Sequence, residues 1–288
     1  MATLFVPREV VPRETRVAAT PETVARLAKA GFDVAVEAEA GAHSFISDDM
    51  YRKAGAVVDA DRAARFGSAD VVLQIHPVQV EDAARMKRGA LLVSFLWPLE
   101  NLEAVRALAT AGVSAFAMDL LPRISRAQKM DALSSQANIA GYKAVIMAAE
   151  RLPKLFPLMM TPAGTITPAK VVIMGAGVAG LQAIATARRL GAVVEATDVR
   201  TAAKEQVESL GAKFVGLPPE PGMEDAGGYA KEQSADFLRR QQELVRKHVV
   251  AADAVITTAL IPGRPAPRLI DAGMVREMSP GAVIVDLA

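Results

Sequence analysis

The stretch KVVIMGAGVAGLQAIATARRLGAVVEATD, residues 170–198, constrains the fold more than any other part of the chain. An apolar run rich in β-branched residues ends at Gly175, Gly177 and Gly180, spaced G-x-G-x-x-G, and a helical pattern opens within the same motif at Val178 and Ala179. In a strand–turn–helix unit each glycine has its own task. The first permits a tight turn, the second lets backbone approach a pyrophosphate, and the third lets helix and strand pack closely. The free N–H groups and positive dipole end of the helix would then face the phosphates. A second apolar run ends in Asp198, 18 residues beyond Gly180. A carboxylate there accepts hydrogen bonds from adenosine ribose hydroxyls and repels a 2′-phosphate, which favours NAD(H) over NADP(H). Val199 and Arg200 follow, and an arginine in that place can instead welcome the extra phosphate. The carboxylate carries more weight because it stands at the strand terminus. The alternative role for Asp198 is to N-cap the next helix.

The rest of the chain extends the same alternation. LFVP, FDVAVEA, GAVVD, DVVLQIH, ALLVSFLW and VSAFAMDL read as strands in the first half, and KVVIMG, AVVEATD, KFVGL, DAVITTAL and AVIVDLA in the second. Helical patterns such as PETVARLAKAG and LENLEAVRALATAG separate them, with Pro at a start and Gly at the ends. Runs apolar almost throughout suit strands covered on both faces. The expected fold is α/β: two doubly wound parallel-sheet domains, the second a Rossmann nucleotide-binding domain, joined by a long helix. The expected boundaries are residues 1–127, a linking helix (about Gln128 to Leu152) and Pro-rich connector over 128–164, and 165–288.

Between the halves lies PRISRAQKMDALSSQANIAGY, residues 122–142. It gathers Arg123, Gln128, Asp131 and Ser134 without a histidine or cysteine. These residues can orient a ligand through hydrogen bonds, but they supply neither a nucleophile nor a proton shuttle. Elsewhere His43, His76 and His248 are scattered and lack metal-ligand spacing, so no metal is expected. With Cys 0, disulfides and thiolate metal sites are excluded within this chain. A net charge of +1 gives no bulk attraction to nucleic acid, and none is expected as a partner. No run of 18 apolar residues occurs, so the chain is not expected to cross a membrane.

On RETRVAATPETV, DDMYRKAGA, the 122–142 stretch, the glycine turn with ATDVR, and GGYAKE, the chain resembles the NAD(H)-binding α-subunit domain of proton-translocating nicotinamide nucleotide transhydrogenases. It is similar, more distantly, to alanine dehydrogenases. The first resemblance implies NAD(H) in a cleft between the domains, with its adenosine on Asp198 and its pyrophosphate at Gly175–Gly180. It implies that the nicotinamide reaches Arg123, Gln128, Asp131 and Ser134. Tyr142 and Tyr229 match two tyrosines placed around the nucleotide. Tyr229 lies in PPEPGMEDAGGYAKE, read as a long loop that closes over NAD(H) or else as a passive surface loop.

The implied chemistry is direct hydride exchange with NADP(H) held by a partner component, which needs orientation and dryness rather than acid–base groups. The implied assembly is a homodimer docked on NADP(H)-binding and membrane-spanning components that couple transfer to proton movement. This would place the chain in the cytoplasm, peripheral to the inner face of the membrane. Members of that family continue past AVIVDLA, so a truncation, or completion by another chain, is expected.

The competing reading is a self-sufficient amino-acid dehydrogenase of the alanine dehydrogenase kind. Such an enzyme needs a cationic anchor and a proton-transfer group near the nicotinamide. In this sequence Gln74 and His76 stand near the lysines expected of that family, and Trp97 near its histidine, so the proton-handling pair is missing. His76 can line a cleft or cap its strand.

Overall fold

The structure, a computed structural model, describes residues 1–217, 235–260 and 265–288. It divides into two compact units, Met1–Ala132 and Leu133–Ala288.

The first unit alternates strand and helix without exception: β1 (Ala2–Val6), α1 (Pro21–Lys29), β2 (Phe32–Glu37), α2 (Asp48–Lys53), β3 (Val57–Asp59), α3 (Arg62–Ser68), β4 (Val71–Leu73), α4 (Val80–Arg85), β5 (Leu91–Ser94), α5 (Leu102–Ala111) and β6 (Ser114–Ala117). All strands pair in parallel, in the order β3-β2-β1-β4-β5-β6. The helix starts are written in the sequence. At α1, the Thr20 hydroxyl accepts the Thr23 N–H while Pro21 occupies the first turn. At α3, Asp61 accepts the N–H of Ala64. Phe5, Val72 and Leu92 from three adjacent strands are fully buried, as strands covered on both faces require. Phe66 of α3 packs edge-on against Phe5.

The second unit begins with α6 (Ala132–Arg151) and a hairpin of β7 (Met159–Thr161) and β8 (Gly164–Ile166). It then runs β9 (Lys170–Met174), α7 (Val178–Arg189), β10 (Val193–Thr197), α8 (Thr201–Ser209), β11 (Lys213–Phe214), α9 (Ala235–Val250), β12 (Ala254–Thr257), α10 (Ala272–Glu277) and β13 (Val283–Asp286). Its parallel sheet has the order β11-β10-β9-β12-β13, which repeats the winding of the first unit. All of Val171–Met174 and Ala254–Thr257 are buried, and Ile184 of α7 packs on one face of that sheet.

The eleven runs read as strands are strands of these two sheets. Two details differ from the sequence reading. The long helix starts at Ala132, not near Gln128, because Gln128–Met130 forms a separate 3₁₀ turn and Asp131 (φ −74°, ψ 76°) leaves helical geometry. The Pro-rich connector also contains the β7–β8 hairpin, which turns at Pro162–Ala163 and resumes pairing at Gly164 (φ +136°).

Candidate functional site: a glycine turn tied to a strand-end carboxylate

The order of each sheet reverses at its first strand, and in open α/β sheets the ligand crevice lies at the carboxyl ends of the strands flanking that reversal. In the second unit those strands are β9 and β12. The chain leaves β9 at Gly175 with φ +101°, a backbone region that strains residues carrying a Cβ. At Gly180 an added Cβ would lie 1.8 Å from the Gly175 carbonyl oxygen, so α7 can sit this close only without a side chain there. Gly177 is different: its backbone is extended (φ −73°, ψ −167°) and an added Cβ would meet nothing within 4 Å. The space above Gly177 is therefore open to a ligand. Gly177 also N-caps α7 without a side-chain hydrogen bond, and the first turn carries no acidic residue. Val178 is exposed, Ala179 half-buried. A phosphate would meet free N–H donors and the positive helix end there.

Asp198 is joined to this turn. Its Oδ2 accepts the Ala176 N–H at 2.7 Å, and its Oδ1 accepts the backbone N–H of Arg200 at 2.8 Å. The Arg200 guanidinium also forks onto it, Nε to Oδ1 and Nη2 to Oδ2, each at 3.0 Å. Asp198 is not the N-cap of α8, a position taken by Arg200. Val199, half-buried, lies between them.

Two positioning residues escaped the sequence reading. Thr258, directly after β12, donates its hydroxyl to the Gly175 carbonyl at 2.9 Å and so latches the turn across the crevice. Gly141 of α6 is buried, and a Cβ there would lie 2.1 Å from the Ala179 carbonyl oxygen, so α6 rests directly on the start of α7. Each left a signal: a hydroxyl pair closing the run AVITT, and a glycine inside a helical run.

The remaining candidates are distributed as follows. Arg123 and Gln128 are exposed and Asp131 half-buried, in the last turns of the first unit; Ser134, half-buried, and Tyr142, 52% exposed, are on α6. Ser134 and Tyr142 therefore share a unit with the glycine turn. Tyr229 and its loop lie outside the described residues. Among the described residues no group of three or more His, Asp or Glu side chains can hold a metal ion, and no helix is long and apolar enough to cross a membrane.

At the corresponding strand ends of the first unit, several polar groups serve one another, while Gln74 Oε1 and Ser94 Oγ are buried without a hydrogen-bond partner among the described residues. Glu9 accepts the N–H groups of Ile75 (2.7 Å) and His76 (3.3 Å), and burial pushes its carboxyl up. Glu14 bonds the His76 ring at 2.7 Å and pairs with Arg16, which holds its carboxyl down at about 2. Gln74 is buried and donates to the His76 carbonyl at 2.7 Å. The backbone N–H of Trp97 donates to Asp119. A cavity of about 320 Å³ lies at the other end of the second sheet, lined by Lys170, Val193, Glu195, Lys247 and His248, remote from the glycine turn.

Two doubly wound units in succession, the second with a glycine turn bonded to a strand-end carboxylate, define a two-domain nucleotide-binding protein of the Rossmann type. More narrowly, the chain belongs to the alanine dehydrogenase/PNT family, whose N-terminal domain matches residues 5–140 and whose C-terminal domain matches residues 144–288. It is 52% identical over 292 residues to the first part of NAD(P) transhydrogenase subunit alpha of Rhodospirillum rubrum, covering 99% of this chain and 76% of that protein. It is 48% identical to NAD(P) transhydrogenase subunit alpha of Haemophilus influenzae, covering 98% of this chain but 55% of the relative. Among solved structures, the transhydrogenase from Sinorhizobium meliloti superposes with a TM-score of 0.86 at 51% identity, covering 99% of this chain and 78% of that one. An L-alanine dehydrogenase superposes at 0.78 with 27% identity, covering 99% and 74%.

Proposed function

We propose that the chain is the NAD(H)-binding component of a transhydrogenase, exchanging hydride with NADP(H) held by a partner component. The observation that carries the nucleotide assignment is the turn itself, where an open Gly177, an uncapped helix start and the Asp198 carboxylate fit a pyrophosphate and a ribose. The bound nicotinamide would supply the carbon that gives or takes the hydride. The protein's share is to hold and orient. The N–H groups of α7 would bind phosphate, and Asp198 would accept ribose hydroxyls. Arg123, Gln128, Asp131 and Ser134 are assigned to the nicotinamide end, and Tyr142 to its surroundings. None of them needs to move a proton, because hydride transfer between two nicotinamides involves none.

The residues at the ends of β4 and β5 favour this over the dehydrogenase reading. Gln74 and Trp97 stand there, and His76 is held by Glu14. The relatives named as a subunit alpha, or as the first part of one, support further subunits, and we assign to these the NADP(H) site and the coupling to proton movement across a membrane. A homodimer on the cytoplasmic face of that membrane completes the proposal.

The test mixes the chain with a purified NADP(H)-binding component and follows hydride passing from NADH to an NADP⁺ analogue. Transfer is expected. Alanine-dependent reduction of NAD⁺ by this chain alone, with no transfer, would reverse the assignment. The nucleotide preference has its own check by titration: NADPH binding as tightly as NADH would reject it.

A further inference from the structure

A carboxylate has about four in-plane lone-pair positions, two on each oxygen. At Asp198 all four are matched. The backbone N–H groups of Ala176 and Arg200 take one on each oxygen, and the forked Arg200 guanidinium takes the other on each. The side chain of Asp198 is 8% exposed and that of Arg200 23%. A ribose diol presents two hydroxyl donors side by side, as a guanidinium edge does, and must find one position on each oxygen or bond less well. The two backbone donors cannot withdraw: Ala176 is buried in the glycine turn, and the Arg200 N–H closes a turn on Asp198. The guanidinium, on a flexible stem, can.

From this geometry we infer that Arg200 is a built-in competitor for the adenosine ribose, so that nucleotide and arginine exchange places on Asp198. The inference rests on the assignment of this turn to NAD(H) and says how that site tunes affinity and selectivity. Two consequences follow. Part of the ribose binding energy is spent on displacing a charge-assisted pair, which moderates affinity for NAD(H). The arginine also neutralises the carboxylate and, once displaced, stays tethered two residues away. It therefore blunts the repulsion that Asp198 alone would exert on a 2′-phosphate.

The experiment titrates wild type, Arg200→Ala and Arg200→Lys with NADH, NADPH and reduced nicotinamide mononucleotide, which lacks the adenosine. In R200A, NADH is expected to bind about threefold to tenfold tighter, the scale of a partly exposed charge-assisted pair. NADPH is not expected to gain, so the preference for NADH widens by about the same factor. The mononucleotide should bind all three proteins equally. R200K, a point charge without a fork, should fall between wild type and R200A. Weaker NADH binding in R200A, or an unmoved NADH to NADPH ratio, overturns the competition while leaving the nucleotide site standing. A wild-type chain that binds no NADH overturns the site and the inference together.

Discussion

At the residue scale the glycines of the turn separate packing from binding. An alanine at Gly180 would drive its Cβ into the Gly175 carbonyl, so Gly180→Ala should cost about 1–3 kcal/mol in urea unfolding and lose NADH binding as well. Gly177→Ala meets open space at a φ any residue adopts. It should remain within about 0.5 kcal/mol of wild type in stability yet bind NADH at least ~tenfold more weakly, because the methyl group would stand where the proposed site brings the pyrophosphate. Equal NADH affinity in Gly177→Ala and wild type would remove the phosphate from this turn. The G-x-G-x-x-G spacing was legible without coordinates because each glycine acts within a single strand–turn–helix unit. Thr258 and Gly141 were not, because their partners, Gly175 and Ala179, lie 83 and 38 positions away in the chain.

At the element scale the first unit is fastened by buried charge as well as by apolar packing. Arg62 of α3 bonds Glu37 at the end of β2 (2.6 Å) and Asp82 of α4 (2.8 Å), and its guanidinium lies 5.0 Å from the Phe66 ring centroid. Both carboxylates are buried. Arg62→Ala removes the cation from Glu37 and leaves Asp82 only its longer pair with Arg85 (3.6 Å), and should destabilise this unit by about 3 kcal/mol in urea unfolding.

Acid acts on a neighbouring pair. Glu14 ordinarily titrates at 4.5 and is held down to about 2, chiefly by Arg16. A depressed carboxylate stabilises the fold fully above its unfolded value, and the contribution is lost as pH falls from about 4.5 towards 2. Glu9, pushed up by burial, works in the opposite direction. Glu14→Gln should therefore lower the urea midpoint at about pH 6 and leave it nearly unchanged at about pH 2. An equal loss at both values would show that the carboxylate charge is not what matters. The strands themselves were legible from their apolar runs. The late start of α6 was not, since the 3₁₀ turn at Gln128–Met130 and the dihedral angles of Asp131 leave no mark in residue type.

For the whole molecule, the informative fact is repetition of one winding order in two units, each with its own core. Calorimetry should resolve two unfolding transitions. If the glycine turn binds NADH, a hundredfold excess over Kd should raise the stability of residues 133–288 by about 2.7 kcal/mol and shift chiefly their transition. The sequence alone determined the class of fold and the place of the glycine turn, because apolar periodicity and glycine spacing are local properties written along one dimension. It also determined that no thiol chemistry occurs within this chain. Only the tertiary structure decided what Asp198 holds, which strand end latches the turn, and how α6 comes to rest on it. Those are contacts between segments far apart in the chain, and residue types constrain them weakly until the sheet fixes which strands are neighbours.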